Sequence, residues 1–354
     1  MAGVGLGVDG PEGPDPALVP RLLEEYGNAT RVALARYLGP REPERHLYGL
    51  VADYPQRGGR MLRPSLCIAT ARAFGADLDD AVQAAVALEL LHNAFLVHDD
   101  VEDESETRRG RPTLHRLHGT AAAVNTGDAL ALLGLRALID GRWRLGPRVT
   151  LRLLEEAERM VRESIEGQAI ELGWRRDNAL HLTDADYLAM VLKKTCWYTA
   201  IFPLRVGALV ATRTEPDPER FVRFGFFLGA AFQIQDDLLN ITGDPVRYGK
   251  EIDGDLREGK RTLILIHFLQ VCDAYERERL ASFLAVPRSE REDADVRWLH
   301  HRLHESGSIE YARDVTHALA GAAQHEFAEA FASVPESRDR QFLEALPRWV
   351  IERG

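Results

Sequence analysis

Cysteine is scarce and scattered in this chain. Cys67, Cys196 and Cys272 are odd in number and form no CxxC pair. That argues against a disulfide framework or a Cys-based zinc site and points to free thiols in a reducing cytosol. Alternating apolar and polar strand patterns are just as scarce, so a sheet-built fold is not expected. Excess basic charge is missing too: 55 acidic residues against 44 Lys and Arg leave a net charge of −11. This balance argues against nucleic acid or an anionic membrane as the main partner. Small anionic substrates remain compatible with it, provided metals or a local basic cluster receive them. The opening MAGVGLGVDGPEGPDP (residues 1–16) has no basic n-region followed by an apolar run and reads as a disordered tail. No segment is read as approaching the roughly 20 apolar residues of a bilayer span. A soluble, cytoplasmic protein is expected, not an integral membrane one.

What the sequence has in abundance is helical periodicity. Ala, Leu, Glu and Arg dominate nearly every long segment. Helices are predicted near 17–38, 42–54, 61–74, 79–104, 119–139, 149–172, 184–195, 197–211, 217–241, 260–283, 294–304, 307–333 and 336–352. The breaks carry turn residues, such as Gly39 with Pro40 and Gly146 with Pro147. Two stretches, AVQAAVALELLHNAFLV (81–97) and FVRFGFFLGAAFQI (221–234), are apolar almost all round and belong inside a bundle. No solenoid repeat and no dividing linker interrupts the pattern. An all-α chain is expected, with one large helical bundle domain over residues 17–354.

The segment LVHDDVEDESETRRG (96–110) packs six carboxylates into eight positions. On a helix Asp99 and Asp103 stack one turn apart, where like charges repel unless a cation holds them. A second apolar helix ends in the same way, at FQIQDDLLN (232–240), with Asp236 and Asp237 followed one turn on by Asn240. Two such helices facing across a bundle would put hard oxygen ligands on opposite walls of one cavity. That suits Mg²⁺, which completes its shell with water and substrate phosphate oxygens. Cations stand close by: Arg108 and Arg109 after the first cluster, Lys250 and Lys260 after the second. Arg60 and Arg63 lie in RGGRMLRP (57–64), and Lys193 and Lys194 in LKKTCW (192–197). A metal–diphosphate site needs such groups for the oxygens the metals do not reach.

From about residue 45 onward the chain resembles the trans-isoprenyl diphosphate synthases, or polyprenyl synthetases, most of all bacterial geranylgeranyl diphosphate synthases. GGRMLRP is similar to that family's GGKxxRP segment, and HDDVEDESETRRG to its first aspartate-rich motif. GQAIELGW (167–174) is similar to its GQxxxxxW stretch, KTCWYT (194–199) to its Lys-Thr motif, and FQIQDDLLN to its second aspartate-rich motif. YGKEIDGDLREGKRT resembles its lysine-bearing tail. In two places the chain departs from the pattern: Arg60 stands where the family usually has Lys, and Asn240 replaces the last Asp of the second motif.

The resemblance implies an isoprenoid-synthase bundle with a central cavity and a role for each matching residue. Asp99 and Asp103 would hold two Mg²⁺ ions and Asp236 a third, with Mn²⁺ able to substitute. Asp100, Asp237 and Asp255 would support the metals indirectly. Arg108, Lys194 and Lys250 would bind an allylic diphosphate (dimethylallyl, geranyl or farnesyl); Arg60, Arg63, His92 and Arg109 would bind isopentenyl diphosphate. Thr195, Tyr198 and Gln233 would line the reacting region, and Lys260 would help close the C-terminal segment over it. Leu91, Ala94 and Phe95, upstream of Asp99, would border the growing chain, and the small Ala94 favours a geranylgeranyl product. A homodimer is expected. A class I terpene cyclase would need an NDxxSxxxE-type second site, which QDDLLNITGDP does not supply. A silent partner subunit would typically lose motif aspartates, and this chain keeps five.

Overall fold

In a computed structural model of the chain, residues 17–214, 218–243 and 252–353 are described. The helices are α1 (Leu18–Leu34), α2 (Gly49–Gln56), α3 (Leu62–Ala73) and α4 (Leu78–Glu102), then α5 (Leu114–His118), α6 (Thr120–Asp140) and α7 (Arg142–Arg176). After them come α8 (Asp184–Val191), a π-helical stretch Leu192–Ile201, α9 (Phe202–Thr212) and α10 (Val222–Thr242). A short helix Gly254–Glu258 precedes the C-terminal helices Leu263–Val271, Ala274–Ala285, Asp293–Glu305, Ser308–Ala330 and Arg338–Glu352. Among the described residues the only strands are β1 (Thr107–Arg108) and β2 (Arg111–Pro112), one small antiparallel hairpin.

α4 is central. It packs on α6, α3, α9 and α1, and α10 packs on helix Ser308–Ala330, the π stretch and helix Arg338–Glu352. Both read as apolar all round because each is covered by neighbours on most sides, with Ala84, Leu88 and Leu90 of α4 and Phe224, Leu228 and Ile234 of α10 in the core. This corrects the sequence reading on membrane spans. α4 and α6 are each long and apolar enough to cross a bilayer, with an 18-residue window of mean hydropathy 1.3. In α4 that window is 72% buried inside the protein, and in α6 44%.

Other boundaries differ for local reasons. The predicted helix 260–283 is two, because Asp273 caps a new helix in a reciprocal capping box with Glu276. The predicted break between 195 and 197 is absent: the chain runs through it as π helix. The break at Gly146 is real, since that residue has φ 81° and ψ 161° between two helical runs. The tail 1–16 and Lys250 lie outside the described residues.

Candidate active site

The last turn of α4 is the negative end of its dipole, yet it carries Asp99, Asp100 and Glu102, with Asp103 as the C-cap. Carboxylates there are disfavoured unless cations meet them. The cations come from the hairpin. Arg109 and Gly110 both have positive φ (54° and 72°), as a two-residue hairpin turn requires, and the turn brings Arg108 back onto α4. The Arg108 guanidinium donates through Nε to Asp100 at 2.9 Å and lies 3.4 Å from Asp99. Asp100 also accepts from the Tyr54 hydroxyl and is fully buried. It therefore anchors Arg108 and does not face the cavity, whereas Asp99 and Asp103 do. Arg57 at the end of α2 fixes the hairpin, donating to the carbonyls of Arg108 (3.1 Å) and Pro112 (2.8 Å).

Asp103 is 7% exposed and receives Arg175 from α7. Burial, then the charge of Asp99, pushes its carboxyl up to about 7, with Lys194 and Arg175 pulling the other way. Lys194 lies 3.6 Å from Asp99 and 2.6 Å from Glu171. Burial disfavours its charge, but Glu171, Asp99 and Asp103 outweigh that and hold its pKa above the usual lysine range. Its neighbour Lys193 turns outward onto Glu163 and Glu166.

The opposite wall is α10. Asp236 pairs with Arg353 at 2.5 Å, and that guanidinium sits 3.8 Å above the Phe232 ring. Asp237 is buried and accepts from Tyr187 (2.8 Å), Gln233 (2.8 Å) and Lys260 (2.9 Å). Gln233 in turn accepts from the Thr195 hydroxyl at 2.8 Å. Asn240 has a use of its own: its side-chain oxygen accepts from the Asp255 backbone at 3.0 Å, which fixes the short helix Gly254–Glu258. Asp255 then lies 3.7 Å from Lys260.

A basic group gathers beside these walls. Arg63 donates to Tyr198 (2.8 Å) and Thr199 (2.9 Å), lies 3.4 Å from His92, and stacks 4.3 Å from the Tyr198 ring centre. Arg109 passes so close to Gly59 that a Cβ there would sit 2.7 Å from its guanidinium, which explains a glycine at the second position of the GG pair. Arg60 is exposed, 6.0 Å from the Trp349 ring. Glu89 lies fully buried among these arginines; burial raises its pKa, against the pull of Asn93, Arg109 and Arg63.

Asp99, Asp103, Arg108, Lys194, Asp236 and Asp237 border one cavity of about 940 Å³, as do Arg60, Arg63, His92, Arg109, Thr195, Tyr198, Gln233, Asp255 and Lys260; Asp100, Glu171 and Arg175 stand behind its wall. Leu91, Ala94 and Phe95 border it as well, with Ala131 of α6 and Val161, Ile165 and Leu172 of α7. Phe95 does not stand alone as a floor: its ring meets Tyr198 edge-on at 5.6 Å. The sequence reading missed Glu171, Arg175, Glu258, Arg288 and Arg353. Glu171 sits inside the GQAIELGW stretch already noted. Glu258 likewise sits inside the YGKEIDGDLREGKRT stretch, while Arg175, Arg288 and Arg353 carry no local signal, because each is defined by a partner distant in the chain.

Among the described residues no three His, Cys, Asp or Glu converge closely enough to cage an ion by themselves. The donor set nevertheless fits Mg²⁺. Hard carboxylate oxygens face one cavity from two walls, and Asp103 is strained electrostatically in a way a divalent cation would relieve. Asp99, Asp103 and Asp236 would hold it, with substrate oxygens and water completing the shell.

Comparison with known proteins agrees with this geometry. Residues 44–302 match the polyprenyl synthetase family. A short chain isoprenyl diphosphate synthase of Methanothermobacter thermautotrophicus is 33% identical over 84% of this chain and 87% of its own. A geranylgeranyl pyrophosphate synthase of Geoglobus acetivorans is 30% identical over 95% of this chain and 99% of its own. A polyprenyl synthase of Caulobacter crescentus CB15, solved with calcium and isoprenyl diphosphate, superposes with a TM-score of 0.84 at 28% identity, covering 97% of this chain and 99% of that one. With its aspartate pairs on facing helices and its arginines gathered beside them, the chain belongs to the polyprenyl synthetase family of trans-prenyltransferases.

Proposed function

We propose that the enzyme condenses isopentenyl diphosphate with an allylic diphosphate and releases geranylgeranyl diphosphate as its main product. The observation that carries this reading is one cavity that takes both charged and apolar side chains from α4. Asp99 and Asp103 border it with Asp236, Lys194 and Arg108, and so, one to two turns earlier on the same helix, do Leu91, Ala94 and Phe95. Leu91 precedes Asp99 by eight residues, about 12 Å along the helix at roughly 1.5 Å per residue. A tail anchored at the aspartates would run down that wall. Ala94 offers only a methyl there, which leaves room beyond a farnesyl chain.

Bound Mg²⁺ would neutralise the departing diphosphate and withdraw electrons from the allylic C–O bond. The residues do the rest. Lys194 and Arg108 hold the allylic diphosphate, with Lys250 as a further expected ligand. Arg60, Arg63, His92 and Arg109 hold isopentenyl diphosphate so that its alkene meets the allylic carbon. The hydroxyls of Thr195 and Tyr198 and the carbonyl of Gln233 face the developing positive charge. The apolar walls exclude water, which would otherwise capture the cation. The released diphosphate serves as the base for the final proton. We further propose three Mg²⁺ ions with Mn²⁺ as a substitute, a cytoplasmic location and a homodimer.

The test is incubation of the purified chain with Mg²⁺, isopentenyl diphosphate and each allylic primer, followed by mass analysis of the dephosphorylated products. A twenty-carbon all-trans alcohol is expected. A fifteen-carbon main product, or one longer than twenty carbons, would move the product assignment, and a cyclic hydrocarbon or no product would overturn the reading.

A further inference from the structure

The GQAIELGW stretch of α7 contains one acid that the reaction above does not use. We infer that Glu171 is a positioning residue: it draws the Lys194 ammonium off Asp99 and so keeps that carboxylate open to a divalent cation. This rests on the prenyl-transfer reading of the site.

Lys194 Nζ lies 2.6 Å from Glu171 Oε1 and 3.6 Å from Asp99 Oδ1, so of the two carboxylates Glu171 takes the direct hydrogen bond. Glu171 is 2% exposed, held in the bundle where no solvent competes for it. Gly167, one helical turn earlier, explains how the two meet. A Cβ at that position would lie 2.2 Å from the Lys194 backbone nitrogen and 2.6 Å from its Cα. α7 and the lysine-bearing π stretch are thus in backbone contact, and the side chain drops onto Glu171. Take that acid away and the nearest carboxylate to the ammonium is Asp99. A charge this buried needs a partner, and the attraction grows as the pair closes. Lys194 would then settle on the carboxylate that the metal needs. Asp103 and Lys260 also act on Lys194, with opposite signs, and neither makes the short contact.

The experiment is Mn²⁺ binding to the full chain by calorimetry or electron paramagnetic resonance, alone and with inorganic diphosphate. Glu171→Gln should weaken Mn²⁺ binding by about 10-fold or more, the range found when groups behind metal ligands are removed. Glu171→Asp should weaken it less. Without diphosphate, adding Lys194→Met to Glu171→Gln should return the Mn²⁺ affinity towards wild type, because no ammonium is left to compete. A purely structural role for Glu171 would not produce that recovery. Unchanged affinity in Glu171→Gln overturns the inference, as does a double variant as weak as the single one when Mn²⁺ is measured without diphosphate. If Glu171→Gln loses its cooperative thermal transition, the decision passes to Glu171→Asp and to the double variant, which buries no unpaired charge. Failure of the wild type to join the two diphosphates would count against the prenyl-transfer reading, while the Mn²⁺ comparison would still report on Glu171.

Discussion

Asp99 and Asp100 are adjacent in sequence and opposite in use. Successive side chains on a helix point about 100° apart, so Asp99 faces the cavity and Asp100 is locked between Tyr54 and Arg108. Asp99→Ala or Asp236→Ala should therefore lower turnover by roughly 10²–10³ or more with the fold retained, since electrostatic stabilisation is usually the largest catalytic term. Steady-state kinetics with a circular-dichroism control checks this, and near-normal rates would refute it. Asp103 supplies a pH signature. Its folded pKa of about 7 stands above the ordinary 3.8, so the metal-free native state keeps a proton that the unfolded chain releases. Stability of the metal-free protein should then fall as pH rises between about 4 and 7. Mg²⁺ binds the deprotonated form, so it should release a proton near neutrality and raise the melting temperature more at pH 7.5 than at pH 5.5. Calorimetry in buffers of different ionisation enthalpy measures the proton. At this scale the motif residues were legible in the sequence, while the partners of Asp100, Asp236 and Lys194 were not.

α4 gives the cavity both its aspartates and its apolar Leu91, Ala94 and Phe95, which ties chemistry to chain length. Ala94 is 2% exposed with its methyl at the cavity wall, and Phe95 meets Tyr198. Ala94→Phe should shorten the main product towards farnesyl, and Phe95→Ala should lengthen it; product mass decides. Because Phe95 leans on Tyr198, its loss should also raise the KM for isopentenyl diphosphate, an effect Ala94→Phe should not share. If neither variant moves the product, α6 and α7 set the length through Ala131 and Val161. Most of the long helices were legible from periodicity to within a few residues, while α5, the short helix Gly254–Glu258 and the break at Asp273 were not. The π stretch was not, because the packing of Gly167 and Gly229 against Lys194 and Cys196 is not written in any local pattern.

Over the whole molecule one surface stands out. Leu132, Leu135 and Ile139 share a face of α6, and Leu132 is 67% exposed; Leu151 of α7 is 58% exposed. Scattered apolar residues need no explanation, but several on adjoining helices mark an interaction surface. A homodimer closed through α6 and α7 would cover them. Light scattering should give about twice the 39.6 kDa of one chain. Leu132→Glu should shift the mass towards the monomer, and a wild-type monomer at micromolar concentration would refute the surface's role.

The sequence by itself determined the all-α class, the two apolar helices ending in aspartates, and the residues able to carry diphosphate chemistry. The helical class and the stacked aspartates follow from patterns three and four residues apart, which local geometry converts directly into faces, whereas the diphosphate-binding residues were implied by the resemblance of their motifs to a known family. Tertiary packing alone decided which aspartates reach the cavity and which are used up as anchors. It also decided that Lys194 rests on Glu171 and that Arg353 reaches back to Asp236, 117 positions away. A charge's partner depends on where helices cross, and that is set by how buried apolar surfaces interlock across the whole chain.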